Sequence, residues 1–271
     1  MYELPTYVWI LVLIGVVGIA ATTSAALYRG AVAARLRRRT AVVLAVVAAY
    51  VLGGWIVATG LLAGAGVYQR ESGEAAPWFG VAFGGVLIAL LLATRIPLVR
   101  RSLADPGTPA RLALPHTFRV VGVSFLILMA QGHLPAVFAL PAGLGDIATG
   151  VAAPFVARRL ARGRGHADAV WFNWFGILDL VVALSIGFLA GLGPWRLLDF
   201  VPSTEPLALL PLALVPTAAV PLSIALHIVS LRRLRAAART KRMSLKPSSQ
   251  PEMTRTATSE QSTEMQPTYD G

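Results

Sequence analysis

Seven apolar stretches, each about as long as a membrane is thick, constrain this chain more than any other feature. A transmembrane helix needs about 20 predominantly apolar residues. Runs of that kind lie at 7–28, 40–65, 78–98, 112–131, 134–157, 171–192 and 206–230. The 271 residues are 56% hydrophobic and 14% charged, with a mean hydropathy of +0.66. Such a chain uses the bilayer interior as its solvent and cannot form an ordinary water-soluble domain. The expected fold is therefore all-α: a bundle of seven transmembrane helices over residues 1–235, followed at 236–271 by a polar, disordered tail.

Charge predicts the orientation. When the loops are assigned alternately to two sides, all but Arg70 and Arg196 of the 24 basic residues fall on one side. That side takes Arg29 to Arg39, Arg95 to Arg119, Arg158 to Arg164 and the stretch from Arg232 to Arg255. The positive-inside rule makes it cytoplasmic, with the N-terminus outside and the C-terminus inside. The first run follows Glu3 and no basic residue, so it reads as a retained helix and not as a secretory signal. The expected location is the cytoplasmic (inner) membrane of a bacterium, with the lipid bilayer as the principal partner.

The net charge of +11 and the pI near 11.1 do not imply nucleic-acid binding, because the basic residues sit beside membrane ends where topology accounts for them. The chain has no cysteine. That excludes disulfides, thiol nucleophiles, thiolate metal sites and iron–sulfur clusters. Tyr7, Trp9, Trp78 and Trp195 near outer ends, and Tyr28, Trp171 and Trp174 near inner ends, suit interfacial anchors. The pairs Gly60/Gly64, Gly80/Gly84 and Gly187/Gly191 suit close helix packing.

Two carboxylates violate the apolar pattern. Asp146 and Asp179 lie in the middle of the fifth and sixth runs, where a charge costs roughly 2.5–3.5 kcal/mol even on lenient insertion scales. Residues at helical spacing from Asp146 are small: Ala139, Ala142, Gly143, Thr149, Gly150 and Ala153. The carboxylate thus belongs to a packing face and not to lipid. At 1.5 Å per residue both aspartates come about 12 Å from the inner side, and Arg119 about 7 Å from it. His116 and Gly122 share the face of Arg119, while Asn173 lies just below Asp179.

The candidate site is therefore Asp146, Asp179, Arg119, His116 and Asn173, as groups that bind a substrate or a proton. Three arrangements suit it: an ion pair of Arg119 with one aspartate, two carboxylates sharing a proton, or two carboxylates on a metal completed by His116 or Asn173. The spacing contains no metal motif, and no metal or cofactor is expected. His227 and His133 read as interfacial or packing residues. Prolines at 206, 211, 216 and 221 predict a kinked seventh helix in which the carbonyls of Leu207, Leu212 and Thr217 lose their usual donors. Pro141, Gly143 and Gly145 predict irregularity in the fifth.

Known motifs do not extend this reading. The aspartate-rich signature of CDP-alcohol phosphatidyltransferases needs four aspartates, and Thr149 and Ala183 stand at two of those positions. The only lysines, Lys241 and Lys246, lie in the tail, so no retinal Schiff base can form in a helix. The expected function is small-solute or proton-linked membrane transport around the Asp/Asp/Arg cluster. The alternatives are a non-catalytic scaffold or assembly protein, and an intramembrane enzyme acting on a lipid headgroup.

Overall fold

The computed structural model describes residues 4–69, 78–192 and 200–244, and their regular structure is all helical, with no strand among them. Six helical rods are long and apolar enough to cross a membrane: Thr6–Ala33, Arg38–Gly64, Thr108–Ala130, Ala136–Ala161, His166–Gly191 and Val215–Thr240. We label the α-helices α1 (Thr6–Ala33), α2 (Arg38–Gly64), α3 (Trp78–Ala93), α4 (Pro97–Ser102), α5 (Thr108–Ala113), α6 (Val123–Ala130), α7 (Ala136–Ala161), α8 (His166–Gly187) and α9 (Val220–Ser244). A 3-10 segment, Leu114–Gly122, joins α5 to α6 as one continuous rod.

The third expected span is shorter than its apolar run. α3 has 16 residues, about 24 Å against a hydrocarbon core of about 30 Å. The run 78–98 is divided because Ile96 precedes Pro97 and takes an extended ψ of 127°, which the proline ring favours and a helix forbids. The remainder restarts as the six-residue α4, with Pro97 in its first turn and Arg100 and Arg101 in its last.

The seventh run also departs from expectation. Residues 206–214 are not part of a spanning helix: Glu205–Ala208 forms a 3-10 turn, Leu209 is extended, and helical structure resumes at Val215 with a π-type turn over Val215–Ala219. Pro206 and Pro211 each remove a backbone donor, and two such losses so close together leave no helix to propagate. Irregular backbone at membrane depth is tolerated only inside protein. Accordingly, Leu207, Ala208, Leu212, Ala213 and Leu214 are all buried.

Two of the three carbonyls that the prolines deprive find other donors. Val215 N–H donates to the Leu212 carbonyl at 3.0 Å. The indole N–H of Trp55, from α2, donates to the Thr217 carbonyl at 2.8 Å, replacing the bond that Pro221 cannot make. By contrast, α7 runs unbroken for 26 residues through Pro141 and Pro154. α9 continues to Ser244, past the expected domain end at 235. The expected tail from 245 onward, with Arg70, Trp195 and Arg196, lies outside the described residues.

α9 is the central element and α2 the peripheral one. The apolar window of the α9 rod is 83% buried, that of α2 11%. α7 packs on both the 3-10 segment and α8, and α8 packs on α9. The anticipated Gly60/Gly64 pair meets only the side-chain ends of Leu214 and Leu210 at 3.6 Å, and a Cβ at Gly84 would meet nothing within 4 Å. Of the expected pairs, Gly191 has a close neighbour, since a Cβ there would lie 2.8 Å from Thr204 Oγ1; other tight approaches are at Gly15, Gly18 and Gly30 of α1 and among α7, α8, α9 and the 3-10 segment.

Candidate functional site

The 3-10 geometry sets one wall of the site. Residues three apart eclipse in such a helix, so His116, Arg119 and Gly122 line one edge, and all three are buried. Nine residues is long for a 3-10 segment, which usually lasts one turn and, in mid-helix, tends to mark a functional position. Gly122 leaves room for Asp146: a Cβ at Gly122 would come within 2.9 Å of the Asp146 carboxylate. Gly150, one turn further along α7, lets that helix approach the backbone at Arg119 and Val120.

Arg119 lies between the two aspartates. Its Nε donates to Asp146 Oδ1 at 2.7 Å, and its Nη2 donates to Asp179 Oδ2. The side chains of Arg119, Asp146 and Asp179 are 3%, 14% and 7% exposed, so the ions are held inside the bundle. A glycine again makes the approach feasible, since any side chain at Gly145 would overlap the Asp179 carboxylate. The arrangement differs from the expected ion pair with a single aspartate: one guanidinium holds both carboxylates.

The third arm of the guanidinium leads to α9. Arg119 Nη1 lies 3.4 Å from His227 Nε2, and His227 Nδ1 lies 2.9 Å from Asn173 Oδ1. The amide of Asn173 is fixed by its Nδ2, which donates to the Ala169 carbonyl at 2.6 Å and to Ser230 Oγ at 3.1 Å. Oδ1 is therefore an acceptor, His227 carries its hydrogen on Nδ1, and its Nε2 lone pair faces the arginine. The polar chain Arg119–His227–Asn173–Ser230 thus leaves the carboxylates toward the arginine-bearing end of α9.

His116 lies beside this chain without joining it. Its ring stacks on that of His227, with centroids 3.8 Å apart and planes inclined by 13°. Phe172 packs edge-on against both rings. Neither nitrogen of His116 has a hydrogen-bond partner among the described residues. Gly176 admits the His227 ring into the α8 surface, where a Cβ would overlap it.

Space adjoins the carboxylates. Asp146 and Asp179 both line a cavity of about 40 Å³ that also touches Phe125, Phe138, Leu207 and Pro216. Arg119 and Asp146 line a second, of about 30 Å³. Asp146 Oδ2 and Asp179 Oδ1 accept no hydrogen bond from the described residues. Toward the opposite end from the arginines, a larger vestibule of about 510 Å³ is bordered by Tyr68, Gln69, His133, Ser203, Glu205 and Ala208. The 3-10 turn Glu205–Ala208 separates the two spaces, with Leu207 on the cavity side and Glu205, Pro206 and Ala208 on the vestibule side.

Of the five residues selected from sequence, Arg119, Asp146 and Asp179 meet directly. Asn173 joins through His227, and His116 is adjacent by stacking. No group of three or more His, Asp or Glu among the described residues is placed to hold a metal ion. His227 and Ser230 were missed as site residues. Their signal was present as the polar stripe Ser223, His227 and Ser230, spaced four and three apart in the otherwise apolar first half of α9, all buried.

The chain matches the family model described as "Domain of unknown function (DUF8737)" over residues 76–235, more than half its length, and so belongs to that family. The matched region contains every residue of the site, while α1 and α2 precede it. No curated protein and no solved structure is matched by the chain.

Proposed function

We propose that this member of the DUF8737 family is a seven-span protein of a bacterial cytoplasmic membrane, N-terminus outside, that couples movement of a small solute or ion to a proton taken up at Asp146 and Asp179. The observation that carries this reading is a charge excess. Two carboxylates share one guanidinium, which keeps its own proton, and His227 is bonded as a neutral ring. A net negative charge in a membrane interior demands a proton or a cation. The unbonded oxygens of both aspartates and the adjoining cavity of about 40 Å³ give that species a place.

The surrounding elements supply two approaches. From the vestibule, a solute or water reaches the carboxylates once the Leu207 turn moves, and that turn lies in the irregular, proline-bearing stretch before Val215. From the arginine-bearing side, Ser230, Asn173 and His227 lead to the same point. Arg119 itself does not relay protons. It holds both carboxylates in place, and protonation of either one weakens its grip on that partner.

A second reading, a scaffold protein whose polar cluster only joins α7, α8 and α9, draws support from the fact that Nε, Nη1 and Nη2 of Arg119 all have protein partners. One comparison separates the two. Wild type, Asp146→Asn and Asp179→Asn are reconstituted in liposomes with a pH-sensitive dye under an imposed potential, and their melting in detergent is followed in parallel. Proton flux in wild type, lost in the variants while melting is retained, supports transport. Variants that conduct like wild type, or a wild type with no flux across a panel of small solutes, overturn it.

A further inference from the structure

We infer that a lateral groove between α2, α3, α4 and α9 is a binding site for an anionic glycerophospholipid, with one acyl chain in the groove and the phosphate on Arg95, Arg100 and Arg233. The groove has a volume of about 270 Å³ and is lined by a different face of α9, Leu222, Ala225, Leu226 and Val229, from the stripe Ser223, His227 and Ser230 that borders the site described above. Its walls include Leu44 and Val51 of α2, Leu90 of α3, Val99 of α4, and Leu226 and Val229 of α9.

The lining rules out a polar occupant. Its hydroxyls, on Thr23 and Thr94, are already donated to the carbonyls of Ile19 at 2.7 Å and Leu91 at 2.6 Å. Nothing else in the wall offers a side-chain hydrogen bond, so a hydrated solute would lose its water without compensation. The opening faces the bilayer. Val47, Val51 and Ile96 on its edge are 53%, 63% and 52% exposed, and α2 is the least buried of the long helices.

Charge chooses the lipid. Arg95 adjoins Ile96, Arg100 follows Val99 in α4, and Arg233 lies one turn beyond Val229 on the same face of α9. Arg233 Nη2 reaches the Arg100 carbonyl at 3.4 Å, which brings the ends of α4 and α9 together at the mouth of the groove. None of the three arginines has an ion-pair partner among the described residues. Guanidinium forks suit a phosphate diester, and basic residues at this level attract anionic headgroups. The break at Pro97 therefore has a use: it turns α4 so that apolar residues wall the groove while its arginines stay at the lipid surface.

The test uses the full chain in mild detergent, with phosphatidylglycerol and phosphatidylcholine of identical acyl chains, read by native mass spectrometry and by melting temperature. Wild type is expected to retain phosphatidylglycerol roughly tenfold more than phosphatidylcholine, and to melt higher with it. Ala48→Trp and Ala93→Trp, which fill the groove from two different helices, should each lose the retained lipid. The double variant Arg100→Gln/Arg233→Gln should keep the two lipids equally. Equal retention of both lipids by wild type, or full retention of phosphatidylglycerol by a correctly folded tryptophan variant, overturns the assignment.

Discussion

Arg119→Leu is the sharpest perturbation of this bundle, because one side chain neutralises two others. The guanidinium is 3% exposed and donates to Asp146 at 2.7 Å and to Asp179. Removing one member of a buried ion pair costs about 3–5 kcal/mol, mostly because the remaining charge is left without a partner. Here two carboxylates would be left, against a total stability of about 5–15 kcal/mol for a typical domain. The penalty is therefore expected at the upper end of the range of about 3–5 kcal/mol. It should largely vanish in the Asp146→Asn/Asp179→Asn background, where no charge is stranded, giving a coupling of about 3 kcal/mol or more, at the top of what contacting groups commonly show. Each Asn substitution alone should cost far less than Arg119→Leu, since the amide oxygen still accepts from the guanidinium and the charge excess is relieved. Denaturant titration in detergent, followed by the fluorescence of the six tryptophans, measures all the corners. Equal costs of Arg119→Leu in both backgrounds would refute the geometry.

Two further substitutions probe the elements that hold the site. Trp55→Phe removes the donor to the Thr217 carbonyl and is expected to cost about 1–3 kcal/mol. Adding Pro221→Ala, which restores a backbone N–H, should recover part of that loss in the same titration. Gly176→Ala forces a methyl group into the His227 ring, with an expected cost of about 1–3 kcal/mol. The cost should fall in a His227→Ala background, and a cost that does not change there would show that the close approach is elsewhere.

The spans were legible because length and hydropathy are what the bilayer selects, and six of the seven apolar runs correspond to rods of spanning length. What hydropathy cannot distinguish is a residue solvated by lipid from one solvated by protein. Leu207, Leu212 and Leu214 are apolar for the second reason, yet by hydropathy their run predicts the start of a helix. That error displaced His227. Counted from 206 it falls about 32 Å along the helix, at the inner surface; counted from Val215 it falls about 18 Å along, level with the buried charges. The meeting of Asp146, Asp179 and Arg119 was approachable because their estimated depths nearly coincided and the Asp146 face was small. Which carboxylate Arg119 would choose was not readable, since depth along a helix says nothing about the 3-10 winding that turns His116, Arg119 and Gly122 onto one edge.

Charge arithmetic distinguishes glue from a working site better than hydrogen bonds do. A network that serves only to join helices is best when each buried ion is matched, because every uncompensated charge adds a desolvation cost and no further contact. Arg119 with Asp146 alone would meet that condition, and an apolar residue or an asparagine at 179 would pack beside it without penalty. The chain instead places a second carboxylate on the same guanidinium, and at Gly145 it leaves off the side chain that would collide with it. It also leaves one oxygen of each aspartate without a hydrogen bond among the described residues, and both aspartates line the same small cavity. A surplus carboxylate with room beside it is a poor rivet. It suits the proton site proposed above, where a carboxylate must bind and release a proton in turn.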